Sequence, residues 1–407
     1  MEKKATMNRL QSPKSIALTA GSPASLILKG QGGYLFETTT LDVSGASLRF
    51  LNADASQELR VDWSASSVTA SVGTTQLVDA GNTSGLVGKP GAFYWVSIDA
   101  HNRLLIAGVG EARMETRVYA YDFPRDFPND VPNSFSLHDL TTVYAGPGVR
   151  PLRLLRDPVT HSMPLQVKQG YELTMDDIAS AAYMPKANLS LIAQKLHDCI
   201  AGPSFVLDDA DFPAFSKAIE ASIANPDGWC YKRLAEKATE FGPSNPAETY
   251  LRITLGQNNG ESPGIPYVME IWPPGHYSPV HNHAGSHAVI RVLHGAIQVR
   301  LFPYLCCDLS GVPPFATTAF TEGDLTWISP TLNQTHQLAN VGSKTCVTIQ
   351  CYMYDGANRL HYDFFDYVDA GGARQQYTPD SDMDFVAFKS FMKGEWEARR
   401  RGCCAVA

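Results

Sequence analysis

From Ser25 to about Phe123, apolar and polar positions alternate in short runs rich in β-branched and aromatic residues. The runs are SLILKG, ASLRFLN, ELRVDWS, SVTASV, FYWVSID, RLLIAGVG and TRVYAYDF, separated by turn clusters such as NADAS, AGNTSG and DAHNR. A period of two turns one face of each run towards a core. Short strands with regularly spaced turns predict an antiparallel β-sandwich over residues 21–165. Residues 1–20 read as a flexible tail. The stretch 124–165, Pro-rich at FPRDFPNDVPNSF, reads as a closing loop or linker.

The period changes over residues 174–240. Thr174, followed by Asp176 and Asp177, marks a helix start. NLSLIAQKLHDCI sets Leu189, Ile192, Leu196 and Ile200 on one helical face. Two to four helices are expected there. Strand texture returns from Glu248 to Tyr367 in YLRITLG, PYVMEIW, HAVIRVL, AIQVRLF, LTWIS and CVTIQCYMY. Residues 384–401 predict a last helix packed through Phe385, Phe388, Phe391 and Met392. The chain is thus expected to be mainly β: a sandwich, a short helical segment, a second β domain over 174–395, and a basic tail over 396–407.

The 407 residues suit two or three globular units, with 44% hydrophobic and 18% charged side chains. A net charge of −8 argues against nucleic acid as a partner. No apolar run reaches the length of a membrane-spanning helix. MEKKATMNRL carries no secretory apolar region. Eight cysteines without a C-x-x-C pair predict a reducing, cytoplasmic setting and thiols that mostly pack cores.

Seven of the eleven histidines fall between His276 and His361. His281 and His283 form an H-x-H, which on a strand turns both imidazoles to one face. Gly275 precedes His281 by five intervening residues, and Gly295 follows Ala288 by six. Further on, GDLTWISPTLNQTH ends at His336, with Asn340 after three more residues. These spacings resemble the two motifs of the cupin family, a small antiparallel β-barrel with a metal at its mouth. The resemblance implies His281, His283 and His336 as metal ligands. Ala288 stands where most cupins place a ligating glutamate. Three neutral imidazoles leave a divalent ion its full charge and favour an anionic ligand such as a thiolate; imidazole alone does not name the metal.

The flanks narrow the resemblance. Tyr250-Leu251-Arg252, then Trp272, Gly275, His276 and Ser278, then Ser286-His287, are similar to the metal-binding core of the cysteine dioxygenase family. LIAQKLHDCIAG resembles that family's opening helix, so the likeness covers about 188–370. It implies Fe(II) as cofactor, L-cysteine and O2 as substrates, and a place in L-cysteine catabolism and taurine biosynthesis. Arg252 would grip the substrate carboxylate with its forked donors. Tyr250, Trp272 and His287 would line the substrate site. Thr348, Gln350 and Tyr352 stand where the family has a Ser-x-His-x-Tyr relay, and Tyr352 would donate a hydrogen bond to the oxygenated intermediate. Ala288 replaces the cysteine that animal members crosslink to this tyrosine. Gln350 cannot titrate as histidine does. His276, His294 and His361 read as structural.

The last residues, Arg399-Arg400-Arg401-Gly402-Cys403-Cys404-Ala405-Val406-Ala407, fit a C-a-a-X prenylation motif at Cys404, with Cys403 as a second lipidation site. If lipidated, the protein would sit on the cytoplasmic face of a membrane; the alternative is a frayed tail. Residues 20–165 show no ligand cluster, and their ligand is unknown. Two other functions stay open: a dioxygenase for another carboxylate-bearing thiol such as 3-mercaptopropionate, and a non-catalytic adaptor with a degenerate cupin.

Overall fold

The computed structural model describes residues 14–39, 43–78, 92–125, 135–255, 266–306, 312–354 and 364–404. The chain divides into two units, Met1–Met163 and Pro164–Ala407.

The first unit is the expected antiparallel sandwich of two six-stranded sheets. Period-two patterning builds its core. In the strand Glu58–Trp63, Leu59, Val61 and Trp63 are buried, while Arg60 and Asp62 pair on the outer face at 2.8 Å. Phe36 of one sheet meets Trp63 of the other edge-on, with ring centroids 5.0 Å apart. The Tyr119 hydroxyl donates to the Leu77 carbonyl at 3.1 Å, a second tie between the sheets.

Two expectations fail here. Ser15–Ala17, read as part of a flexible tail, is an edge strand paired with Val149–Leu155. The stretch read as a closing loop contributes two strands, Leu140–Ala145 and Val149–Leu155. Pro151 hid the second of these. It is tolerated because the register shifts between Pro151 and Arg153, and a bulge needs no ladder donor there. Residues 126–134 of the Pro-rich stretch lie outside the described residues.

The second unit pairs an eight-stranded sheet with a six-stranded sheet. Val292, Trp272 and Cys346 of the larger sheet share one buried cluster with Ile297, Val299, Leu301, Phe320 and Leu338 of the smaller, so the two sheets enclose a barrel interior of cupin type. Gly295 joins the strands His287–His294 and Ala296–Leu301 with a φ of +72°. A Cβ there would meet the Thr345 carbonyl oxygen at 2.5 Å, which accounts for the glycine at the end of the first motif.

Gln166–Lys168 pairs with Leu325–Ile328, and Met184–Pro185 adds the outer edge. The barrel unit therefore begins before residue 174. Strands of two and three residues are too short to show a period. Helices follow at Met175–Ala179, Leu191–Ile200, Phe215–Ala224 and Trp229–Glu236. Thr174 caps the first in a capping box with Asp177. Leu191–Ile200 lies against the strands His287–His294 and Cys346–Met353.

The last helix runs Phe385–Cys404. Phe388 and Met392 are fully buried, with Phe388 packed on Phe215 at 5.8 Å and on Trp229 at 5.5 Å. Phe391, expected in the same stripe, is 47% exposed because it lies at the stripe's rim, where it meets Trp229 at 6.5 Å. The helix takes in Cys403 and Cys404, so the tail expected from residue 396 is helical up to that point. Their side chains and residues 405–407 lie outside the described residues. Among the described residues, no helix is long and apolar enough to cross a membrane.

Candidate metal centre

His281 ends the two-residue strand Val280–His281 and pairs with His336, the first residue of His336–Ala339. His283 lies past the strand end, before a turn in which Ala284 and Gly285 adopt positive φ. The expected two-on-one-strand arrangement therefore gives way to a strand end and a turn. The rings converge all the same. Their centroids are 5.0 Å apart for His281 and His283, and 4.7 Å for each of these with His336. One ligand nitrogen from each lies within 4.8 Å of the others.

Loop contacts fix this convergence. Asn282 donates its backbone N–H to the Asp366 carbonyl at 2.9 Å. Gln334 accepts from the Gly285 N–H at 3.0 Å and donates to the carbonyls of Ser286 at 2.9 Å and Ser329 at 2.6 Å. The His281 Nδ1–H donates to the Pro279 carbonyl at 3.0 Å, which leaves Nε2 as the lone-pair nitrogen. His283 Nε2 and His336 Nε2 are 3.0 Å apart. The buried Nδ1 of His283 has no hydrogen-bond partner. Burial pushes the His281 pKa down to about 4 and holds His283 and His336 well below the usual imidazole range. All three are held neutral, the form that ligates a metal.

The same pocket is lined by Tyr250, Arg252, Glu270, Trp272, Gln350 and Tyr352. Arg252 and Glu270 are Cα partners on adjacent strands and are 3% and 4% exposed. Arg252 Nη1 meets Glu270 Oε1 at 3.2 Å. Gln350 donates its amide to the other Glu270 oxygen, and the Tyr352 hydroxyl donates to the Gln350 carbonyl. A buried polar chain thus runs Arg252–Glu270–Gln350–Tyr352. Burial pushes the Glu270 carboxyl up, and Arg252 beside it pulls the other way. Tyr250 stacks on Trp272 at 4.2 Å. The Tyr352 ring lies nearly parallel to His283, 5.8 Å away.

Five of the residues expected beside the metal, Tyr250, Arg252, Trp272, Gln350 and Tyr352, do line this pocket. Two others do not. His287 sits on the opposite face of its strand from Ala288 and contacts Ser190 at 3.3 Å, where the helix Leu191–Ile200 begins. Thr348 shares the inner face with Gln350 and Tyr352, but its hydroxyl is buried without a hydrogen bond and lies outside the pocket lining. The expected relay therefore runs from Tyr352 through Gln350 to Glu270. His276 is structural, with Nδ1 on the Thr249 carbonyl at 2.9 Å; His294 faces Glu220 at 3.2 Å. His361 lies outside the described residues.

Sequence reasoning missed Glu270 and Asp382. The lone charge inside the apolar run VMEIW was the signal for Glu270. Asp382 gave none, because three aspartates alternate along its short stretch. Its carboxylate accepts from the Arg252 backbone N–H at 2.7 Å, and its own N–H donates to the Arg252 carbonyl at 2.7 Å. The same carboxylate holds Arg233 at 2.8 Å and Lys237 at 3.1 Å.

No family model matches the chain. It is 24% identical over 151 residues to a Danio rerio protein described as cysteine dioxygenase type 1, which covers 37% of this chain and 68% of that protein. Among solved structures it is similar to the Schizosaccharomyces pombe Cnp3 cupin domain, at 14% identity and a TM-score of 0.21 over 26% of this chain and 65% of that one. It is also similar to an oxalate oxidase bound to glycolate, at 18% identity and a TM-score of 0.22 over 28% of this chain and 55% of that one. The chain thus spans less than two thirds of either structure. The second unit is a cupin-type barrel that carries a three-histidine group able to hold a metal.

Proposed function

We propose that the second unit is an iron-dependent dioxygenase that converts L-cysteine, or a close small thiol, to its sulfinic acid. The observation that carries this reading is the convergence of three neutral histidines with Arg252, Gln350 and Tyr352 on one small pocket. The donor set fits a divalent ion: three imidazole nitrogens, two on buried rings and one on the half-buried His281, all held unprotonated. His281, His283 and His336 would hold it. A ferrous ion there would supply open positions for a thiolate and for dioxygen. The reaction balances as RSH + O2 → RSO2H, with both oxygens on sulfur and no further reductant.

The protein's own groups do the rest. Tyr250 and Trp272, stacked on each other, form an apolar wall that holds a small substrate against the histidines and excludes bulk water. Arg252, Glu270, Gln350 and Tyr352 form the polar wall that orients it. The weak likeness to a cysteine dioxygenase supports the reaction class.

The test is oxygen uptake by the Fe(II)-loaded protein with L-cysteine, with product mass recorded, beside His283→Ala. Uptake that yields the thiol plus two oxygens and disappears in the variant is the expected result. Bound iron with no uptake on any small thiol would overturn the reading and favour a non-catalytic role.

A further inference from the structure

Within the thiol-oxygenase reading, and resting on it, we propose that Glu270 makes this pocket choose its thiol by the amino group rather than by the carboxylate. The first observation is electrostatic. Arg252 is the pocket's cation, but Glu270 is its Cα partner and meets it at 3.2 Å, both nearly wholly buried. The pair is close to neutral. A substrate carboxylate entering it gains less from Arg252 and meets a like charge on Glu270.

The second observation concerns hydrogen-bond direction. Both Glu270 oxygens face donors, Nη1 of Arg252 on one side and the Gln350 amide on the other. That arrangement matches an ionised carboxylate. It also fixes Gln350, since a reversed amide would set its oxygen against Glu270. The Gln350 carbonyl therefore faces Tyr352 and takes the phenol's single hydrogen. Tyr352 meets every further partner as an acceptor. An acceptor beside the histidines suits an N–H of the substrate amine and repels a carboxylate oxygen. It also reverses the donor role that the sequence suggests for Tyr352.

The pocket is thus built for aminothiols: cysteamine and L-cysteine bind, and 3-mercaptopropionate is discriminated against. The experiment titrates the Zn(II)-loaded protein calorimetrically with these three thiols, so that binding is read without oxygen chemistry. Oxygen uptake by the Fe(II)-loaded protein is measured in parallel. In the unmodified protein 3-mercaptopropionate is expected to bind at least about tenfold more weakly than cysteamine. Glu270→Gln keeps the shape, unmasks Arg252 and is expected to close or invert that ratio. Should Glu270→Gln not fold, as judged by near-ultraviolet circular dichroism, Tyr352→Phe removes the acceptor and is expected to weaken the two aminothiols alone. Preference for 3-mercaptopropionate in the unmodified protein, or a ratio unmoved by the variants, overturns the inference. Amine selectivity without oxygen uptake overturns the oxygenase reading and leaves the selectivity standing. Binding of no thiol overturns both.

Discussion

Ala288 and Tyr352 are Cα partners on neighbouring strands and share one buried cluster. A methyl group therefore faces the pocket's phenol, and a side chain of two heavy atoms at this position would reach towards the ring. Ala288→Cys is predicted to fold and, when loaded with iron and exposed to L-cysteine and oxygen, to form a thioether with Tyr352. Intact-mass measurement would show a species lighter by two hydrogens, absent from Ala288→Ser. A variant that stays at full mass through many turnovers would mean that the two side chains do not meet.

His336→Ala removes one of three converging nitrogens. Iron affinity is expected to fall by more than about 100-fold, since even groups that only support a ligand account for about 10–100-fold. Metal content after gel filtration measures this. Near-ultraviolet circular dichroism of the metal-free variant should match that of the parent, because the surrounding loops are held by Gln334 and Asn282.

Asp382 is predicted to govern stability more than chemistry. Its carboxylate is 1% exposed and compensates both Arg233 and the nearly buried Lys237 while bonding the Arg252 backbone. Asp382→Asn keeps the shape and leaves Arg233 to Glu236 at 3.0 Å and Lys237 to Glu240 at 3.3 Å, so its cost is expected to fall below about 3–5 kcal/mol, that of a buried charge left with no partner. Urea unfolding of the metal-free protein should show this as a lower midpoint with an unchanged slope.

Acid should weaken the metal-free fold. Buried and half-buried histidines have depressed pKa values: His281 about 4, with His197, His276, His283 and His336 also lowered, each chiefly by desolvation. In the unfolded chain they return to about 6.5 and take up protons that the fold refuses. Stability is full above about pH 6.5 and falls as the pH drops towards 4. Urea midpoints measured between pH 7.5 and pH 5 should therefore fall steadily. A flat profile would mean that these imidazoles are not held neutral.

The two histidine motifs were legible because their spacing is local and few folds need it. The family resemblance named Gln350 and Tyr352, and both line the pocket. A period of two along the strand held the information that His287 and Ala288 point to opposite faces, and family resemblance obscured it. Thr348 was misread because sharing a face does not bring a hydroxyl to a pocket; which residues reach it depends on packing across strands. Glu270 and Asp382 act through partners 18 and 130 residues away from them in sequence, at Arg252. Such pairings have no local signature. The strands at Ser15–Ala17 and Gln166–Lys168 escaped for a similar reason, since each exists only because a longer strand elsewhere offers it an edge.

Gln334 has a consequence for how metal is acquired. One amide side chain spans the turn after His283 and the loop leading to His336, with three hydrogen bonds. The histidine cage is thereby pre-organised, and its ordering entropy is settled during folding rather than on capture of the ion. Loading should then depend on how fast an ion sheds its water. Gln334→Ala would change that regime: the two loops would have to find each other around the ion, and metal uptake would slow and become strongly temperature-dependent.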